Sequence, residues 1–197
     1  MFMGTKKRIA VLVSGGGTNL QAIIDAQKSG IIKSGEVVLV LSNNEKAYAL
    51  ERAKNAGIKT MTVKRSAYTE AQIFKAMQDE KIDLIVLAGF MTVLSEEFTR
   101  EFPRRILNVH PSLIPSFCGK GYYGLKVHEE ALKKGVKVTG ATVHFVNEIP
   151  DGGEIIFQKA VDVADDDTPE TLQRKVMEQA EWILLPRAIE KVCSEMR

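Results

Sequence analysis

The chain alternates between two hydrophobic periods. Short β-branched runs occur at "RIAVLVS" (8–14), "EVVLVLS" (36–42), "TMTV" (60–63), "DLIVLAG" (83–89) and "RILNV" (105–109), and each predicts a strand. Between them lie "TNLQAIIDAQKSG", "AYALERAKNAG", "TEAQIFKAMQDE" and "SEEFTREF", whose apolar positions recur at helical spacing. Two of these segments end on Gly30 and Gly57, the residue type that closes a helix in the left-handed conformation. Strands alternating with helices predict a doubly wound α/β fold, a mostly parallel sheet covered by helices on both faces. After Gly135 two longer strand candidates, "KVTGATVHFV" and "EIIFQKAVDV", are joined by "NEIPDGG". A last helix is expected from Pro169 to about Cys193, capped by Thr168 and kinked at Pro186. No repeat or linker interrupts the pattern, so residues 1–197 read as a single domain.

Composition narrows the function classes. The 27 basic and 25 acidic side chains leave a net charge of +2 with no long single-sign block, which points away from nucleic acid. The apolar runs fall short of the roughly 20 residues that cross a bilayer, and the first strand begins without a cleavable leader; no membrane partner and a cytoplasmic location are expected. Cys118 and Cys193 are the only cysteines, too few for a disulfide framework or a paired zinc site.

Chemistry enters at "VLVSGGGTNLQAI", a glycine-rich turn between the first strand and the first helix. Exposed N–H groups and the positive end of a helix dipole make such a turn an anion site. No lysine follows the glycines as a Walker A loop requires. Leu20 stands where a dinucleotide fingerprint needs its third glycine, and the second strand ends in Ser42-Asn43-Asn44 without a ribose-binding acid. A turn for one phosphate monoester remains, with Thr18 and Asn19 adding side-chain donors; a merely tight βα turn is the bland alternative. "ILNVHPSLIPSF" supplies a second cluster. Asn108 and His110 are two apart and leave their strand on one side, at the carboxyl end where open α/β sheets bind ligands. An amide and an imidazole there can polarise a carbonyl and handle a proton, or can simply close the strand end. Asp151, between Pro150 and Gly152-Gly153, is a turn carboxylate able to orient the imidazole. His110, His128 and His144 have no zinc-ligand spacing, and His144 falls inside a strand, so no metal is expected. "SFCGKGYYG" reads as a Gly- and Tyr-rich loop, which makes Cys118 a loop thiol rather than a nucleophile.

Taken together, "SGGGTNLQAI", "LAGFM", "NVHPSLIPSF", "GATVHFV" and "DGG", in this order and at these distances, resemble the phosphoribosylglycinamide formyltransferase family, folate-dependent enzymes of purine synthesis. The resemblance covers nearly the whole chain. It implies formyl transfer from 10-formyltetrahydrofolate, as co-substrate, to the primary amine of glycinamide ribonucleotide, by a monomer or homodimer. By position it implies that Gly17, Thr18 and Asn19 hold the ribonucleotide phosphate and that Glu181 contacts the glycinamide end. Met91, Thr92, Val93, Leu94, Val146, Asn147, Glu148 and Ile149, with Asn108, would wall the folate pocket. Many members carry arginine at the position of Thr92. Asn108 and a protonated His110 would stabilise a tetrahedral oxyanion, with Asp151 raising the His110 pKa. The resemblance also makes Ile114-Pro115 a candidate cis peptide. A nicotinamide oxidoreductase and a non-catalytic ligand-binding module stay open as readings from other classes.

Overall fold

The structure is a computed structural model and describes residues 5–64, 66–67 and 69–196. Its frame is one seven-stranded sheet in the order β3-β2-β1-β4-β5-β6-β7. The strands are β1 (Lys7–Val13), β2 (Gly35–Ser42), β3 (Lys59–Thr62), β4 (Leu84–Leu87), β5 (Ile106–His110), β6 (Val138–Phe145) and β7 (Ile155–Asp162). Strands β1 to β5 pair in parallel, while β6 runs antiparallel to β5 and β7 antiparallel to β6.

Alternation along each strand builds two cores. On one face Ile9, Val11 and Val13 of β1 and Leu84 and Val86 of β4 lie in one buried cluster. Helices α1 (Thr18–Lys28), α2 (Tyr48–Asn55), α6 (Pro169–Val176) and α7 (Trp182–Glu195) contribute Leu20, Ile23, Leu50, Leu172, Leu185 and Ile189 to it. On the other face Ala10, Leu12, Ile85 and Leu87 meet Ile73 and Met77 of α3 (Thr69–Asp79) and Phe98 of α4 (Glu96–Glu101). Successive side chains of these strands point to opposite faces and nearly all are apolar, so both faces demand helices, and the doubly wound expectation holds.

Two departures from the expected elements matter. Leu125–Lys134, a segment assigned no element from the sequence, forms a helix, α5. Its signal was present, since Val127, His128 and Ala131 form its buried stripe and Gly135 closes it with φ 74°; the glycine- and lysine-rich surroundings hid a short stripe. The last helix is also not continuous. A π-helical turn, Met177–Glu181, separates α6 from α7 and lies one turn before Pro186. Proline cannot donate to the ladder, and Pro186 lies inside α7, five residues after the end of this widened turn. Thr168 caps α6 through a reciprocal bond with Thr171, as the sequence predicts.

Strand order reverses between β1 and β4, since the chain runs outward from β1 to β2 and β3 on one side and to β4 and β5 on the other. At such a switch point the loops leaving the carboxyl ends diverge and open a crevice. The glycine-rich turn after β1, the segment after β4 and the Asn-x-His end of β5 all emerge on this edge.

Candidate active site

Gly17 is the N-cap of α1, with φ 72° and ψ 35° in the left-handed region. A side chain there would be strained and would also place its Cβ 2.6 Å from the Ala49 Cβ, so the position requires glycine. The first N–H groups of α1 have no intrahelical acceptor. They remain available to an anion at Gly17, Thr18 and Asn19. Thr18 Oγ1 lies 3.7 Å from Met177 Sδ, and Asn19 Nδ2 donates to Glu181 Oε2 at 2.7 Å. Glu181 is therefore not the exposed acid that a helical glutamate ordinarily is. The π-turn carries it to the glycine-rich turn, where it is 6% exposed. Burial pushes its carboxyl up to about 7 despite the Asn19 bond.

The second cluster is organised by Asp151. Its backbone is left-handed, φ 56°, within a turn that folds tightly enough for a Cβ on Gly153 to meet the Phe145 carbonyl oxygen at 1.7 Å. That turn brings the carboxylate between two imidazoles: Oδ2 is 3.5 Å from His110 Nδ1 and Oδ1 is 3.5 Å from His144 Nε2. Gly119 N–H donates to Oδ2 at 2.8 Å. Asn108 Nδ2 lies 3.5 Å from Asp151 Oδ1 and 3.2 Å from His144 Nε2. Asn108, His110 and Asp151, separated in sequence by up to 43 residues, are thus brought together as expected. Burial alone would raise the Asp151 carboxyl, but His144, the charge of His110 and the Gly119 N–H hold it below its ordinary value.

His144 was set aside as a strand residue; it is one, and it belongs to this cluster. It faces Asn108 across the β5–β6 ladder. Its Nδ1 lies 2.8 Å from the Phe145 carbonyl, which assigns the proton to Nδ1 and leaves Nε2 to accept from Asn108. The pair with Asp151 becomes ionic only if His144 takes a second proton. The only sequence signal was a polar residue near the end of an apolar strand; the β5–β6 register that makes it meaningful is not readable from the chain.

The expected elevation of the His110 pKa is corrected. His110 is 4% exposed, and burial lowers its pKa below the ordinary 6.5; Asp151 and the Phe117 carbonyl oppose this without overcoming it. Its Nε2 sits 2.9 Å from the Phe117 carbonyl oxygen, so the resting imidazole holds its proton on Nε2 and presents Nδ1 toward Asp151. The turn that supplies Phe117 O is fixed from below. Thr142 Oγ1 donates to Ser112 O at 2.7 Å and accepts from Ile114 N–H at 3.1 Å, while Gln158 Nε2 donates to Ile114 O at 2.9 Å. The Ile114-Pro115 peptide in this turn is cis, as the resemblance implied.

The residues expected to line a pocket divide by exposure. Met91, Val93 and Ile149 are large apolar side chains 54%, 77% and 57% exposed, a surface suited to an aromatic ring system. Met91 N–H donates to Ser14 Oγ at 2.9 Å, which ties this segment to the glycine-rich turn. Thr92 Oγ1 accepts from Asn43 Nδ2 at 2.9 Å. Leu94 turns into the core instead and offers little side-chain surface. Val146 donates its N–H to Ile106 O, Asn147 Oδ1 accepts from Ile149 N–H, and Glu148 is exposed. Among the described residues no group of three His, Cys, Asp or Glu side chains is placed to hold a metal ion, and no helix is long and apolar enough to cross a membrane.

The sequence matches the formyl transferase family over residues 7–189, and the chain belongs to that family. Within that family, it is 36% identical over 196 residues to the Arabidopsis thaliana chloroplastic phosphoribosylglycinamide formyltransferase, covering 96% of this chain and 66% of that protein. It is 42% identical over 194 residues to the bovine trifunctional purine biosynthetic protein adenosine-3, covering 96% of this chain but only 18% of that one. Its fold superposes on the crystal structure of glycinamide ribonucleotide transformylase 1 from Symbiobacterium toebii with a TM-score of 0.90, at 41% identity, covering 98% of this chain and 90% of that chain.

Proposed function

We propose that the protein transfers the formyl group of 10-formyltetrahydrofolate to the primary amine of glycinamide ribonucleotide, giving the formylated ribonucleotide and tetrahydrofolate in purine biosynthesis. The observation that carries this reading is the convergence of Asn108, His110, His144 and Asp151 at the sheet edge that also bears the open N–H groups of α1. One end can hold a phosphate, and the other can handle charge and protons at a carbonyl. The exposed Met91, Val93 and Ile149 fit a folate ring. When bound, 10-formyltetrahydrofolate supplies the electrophilic formyl carbon and the leaving nitrogen.

The chain's own residues then act as follows. Gly17 to Asn19 hold the phosphate and fix the ribonucleotide at one end, which leaves its amine to be directed toward Asn108. The Asn108 amide has two hydrogens: one is directed at His144 Nε2 at 3.2 Å, and the other makes only a long 3.5 Å contact to Asp151 Oδ1, weak enough to be exchanged for negative charge developing on the formyl oxygen. Because burial keeps His110 neutral at rest, Nδ1 can accept a proton released by the attacking amine. The resulting imidazolium is flanked by two acceptors, Asp151 Oδ2 and Phe117 O, that are already in place. Proton uptake converts a repulsive 3.5 Å contact between a lone pair and a carboxylate into an ion pair. His110 then carries that proton toward the departing nitrogen.

The test is an absorbance assay for tetrahydrofolate formation, with glycinamide ribonucleotide present or omitted. Product formation should require the ribonucleotide. Turnover at the same rate without it would make the protein a hydrolase of the formyl donor and overturn the transfer reading.

A further inference from the structure

The glycine-rich turn is held from behind by a single element. Ser14 O accepts from Asn44 Nδ2 at 3.2 Å, Gly15 O accepts from the Ala49 N–H at 3.1 Å, and Gly16 O accepts from Arg52 Nε at 2.9 Å. Three successive carbonyls are thus tied to the segment that runs from the end of β2 into α2. In a trans peptide the C=O of one residue and the N–H of the next point in opposite directions. Fixing the Gly16 carbonyl therefore fixes the Gly17 N–H on the other side, toward the site. Arg52 is itself secured at two further points: its Nη1 donates to Gln21 Oε1 of α1 at 3.1 Å, and its guanidinium lies 5.0 Å from the Tyr48 ring centroid. It also bridges α2 to α1 across the turn. A guanidinium donating to the Gly16 carbonyl polarises that peptide and makes the Gly17 N–H a better donor.

We propose that Arg52 is a positioning residue for phosphate recognition: it clamps and polarises the Gly16–Gly17 peptide so that its N–H is set toward the phosphate of the ribonucleotide. The inference rests on the reading of Gly17 to Asn19 as the phosphate site. It explains how a turn without its own lysine holds a dianion, since the positive charge acts through the backbone from behind.

The experiment uses steady-state kinetics with both substrates and inorganic phosphate as a competitor of the ribonucleotide. In the wild-type enzyme phosphate should compete. In Arg52→Ala, KM for the ribonucleotide and Ki for phosphate should both rise roughly tenfold, the scale of a lost hydrogen bond to a charged group. The kcat and the KM for the formyl donor should stay within about twofold. Arg52→Lys, which can reach one carbonyl but cannot also bridge to Gln21, should recover most of the loss. Failure of phosphate to compete in the wild type would overturn the phosphate site itself. Competition in the wild type with an unchanged phosphate Ki in Arg52→Ala would overturn the role of Arg52 alone. A loss spread equally over both substrates, with no recovery in Arg52→Lys, would do the same and leave Arg52 as a general support of the fold.

Discussion

Replacing Glu181 by glutamine should make the protein more resistant to unfolding at alkaline pH, although it removes an acid that hydrogen-bonds in the native state. Glutamine keeps an oxygen to accept from Asn19 Nδ2 and loses only the charge. The carboxyl is raised from 4.5 to about 7 by burial, and at 1.36 kcal/mol per unit this difference is worth about 3 kcal/mol. The sign follows from proton binding. Between pH 4.5 and about 7 the native state holds a proton on Glu181 that the unfolded chain has released, so this group's contribution is fully present below 4.5 and falls as pH rises through about 7. Urea denaturation of wild type and Glu181→Gln at pH 5 and pH 8.5, at constant ionic strength, isolates the effect, because the other titrating groups are common to both proteins. The stability difference should move in favour of the variant by roughly 2–3 kcal/mol between the two pH values. An equal difference at both would mean that Glu181 is not held protonated by burial, and that the π-turn places it in water.

The remaining predictions concern the two clusters. Asp151→Asn should lower kcat by about 10²–10⁴-fold with little change in the Kd of either substrate, and NMR titration should show the His110 pKa falling further once the opposing carboxylate is gone; near-normal kcat would return Asp151 to a turn residue. His128 is fully buried with neither ring nitrogen hydrogen-bonded, and burial, aided by the nearby His110, pushes its pKa to about 4. Such a group supports the fold above pH 6.5 and loses that support as pH falls toward 4, so His128→Leu should be stabilising by about 1–3 kcal/mol, more at pH 5 than at pH 8, in the same urea assay. Gly17→Ala should cost about 2 kcal/mol or more of stability from its left-handed backbone and its clash with Ala49, and should raise the ribonucleotide KM; a variant with wild-type melting and KM would show that the turn tolerates a side chain.

The two periodicities by themselves determined the sheet, its parallel part and the helices on both faces, because strands that are apolar at nearly every position point apolar side chains to both faces and each must be covered. The same chain marked Gly17 to Asn19 as an anion turn, and Asn108, His110 and Asp151 as candidate chemistry, because glycine, proline and polar residues at strand ends stand out locally. What the chain did not disclose depends on partners distant in sequence. His144 acquires its meaning only from lying opposite Asn108 in the β5–β6 register. Glu181, a charged residue type on a helix, reads by itself as an exposed acid; a widened helical turn, which no residue pattern announced, buries it against Asn19. The direction of the His110 pKa likewise turned on a balance between desolvation and a carboxylate 3.5 Å away. Spacing along a chain can bring a carboxylate to an imidazole, but how much water the fold leaves around them is a property of the packed tertiary structure alone.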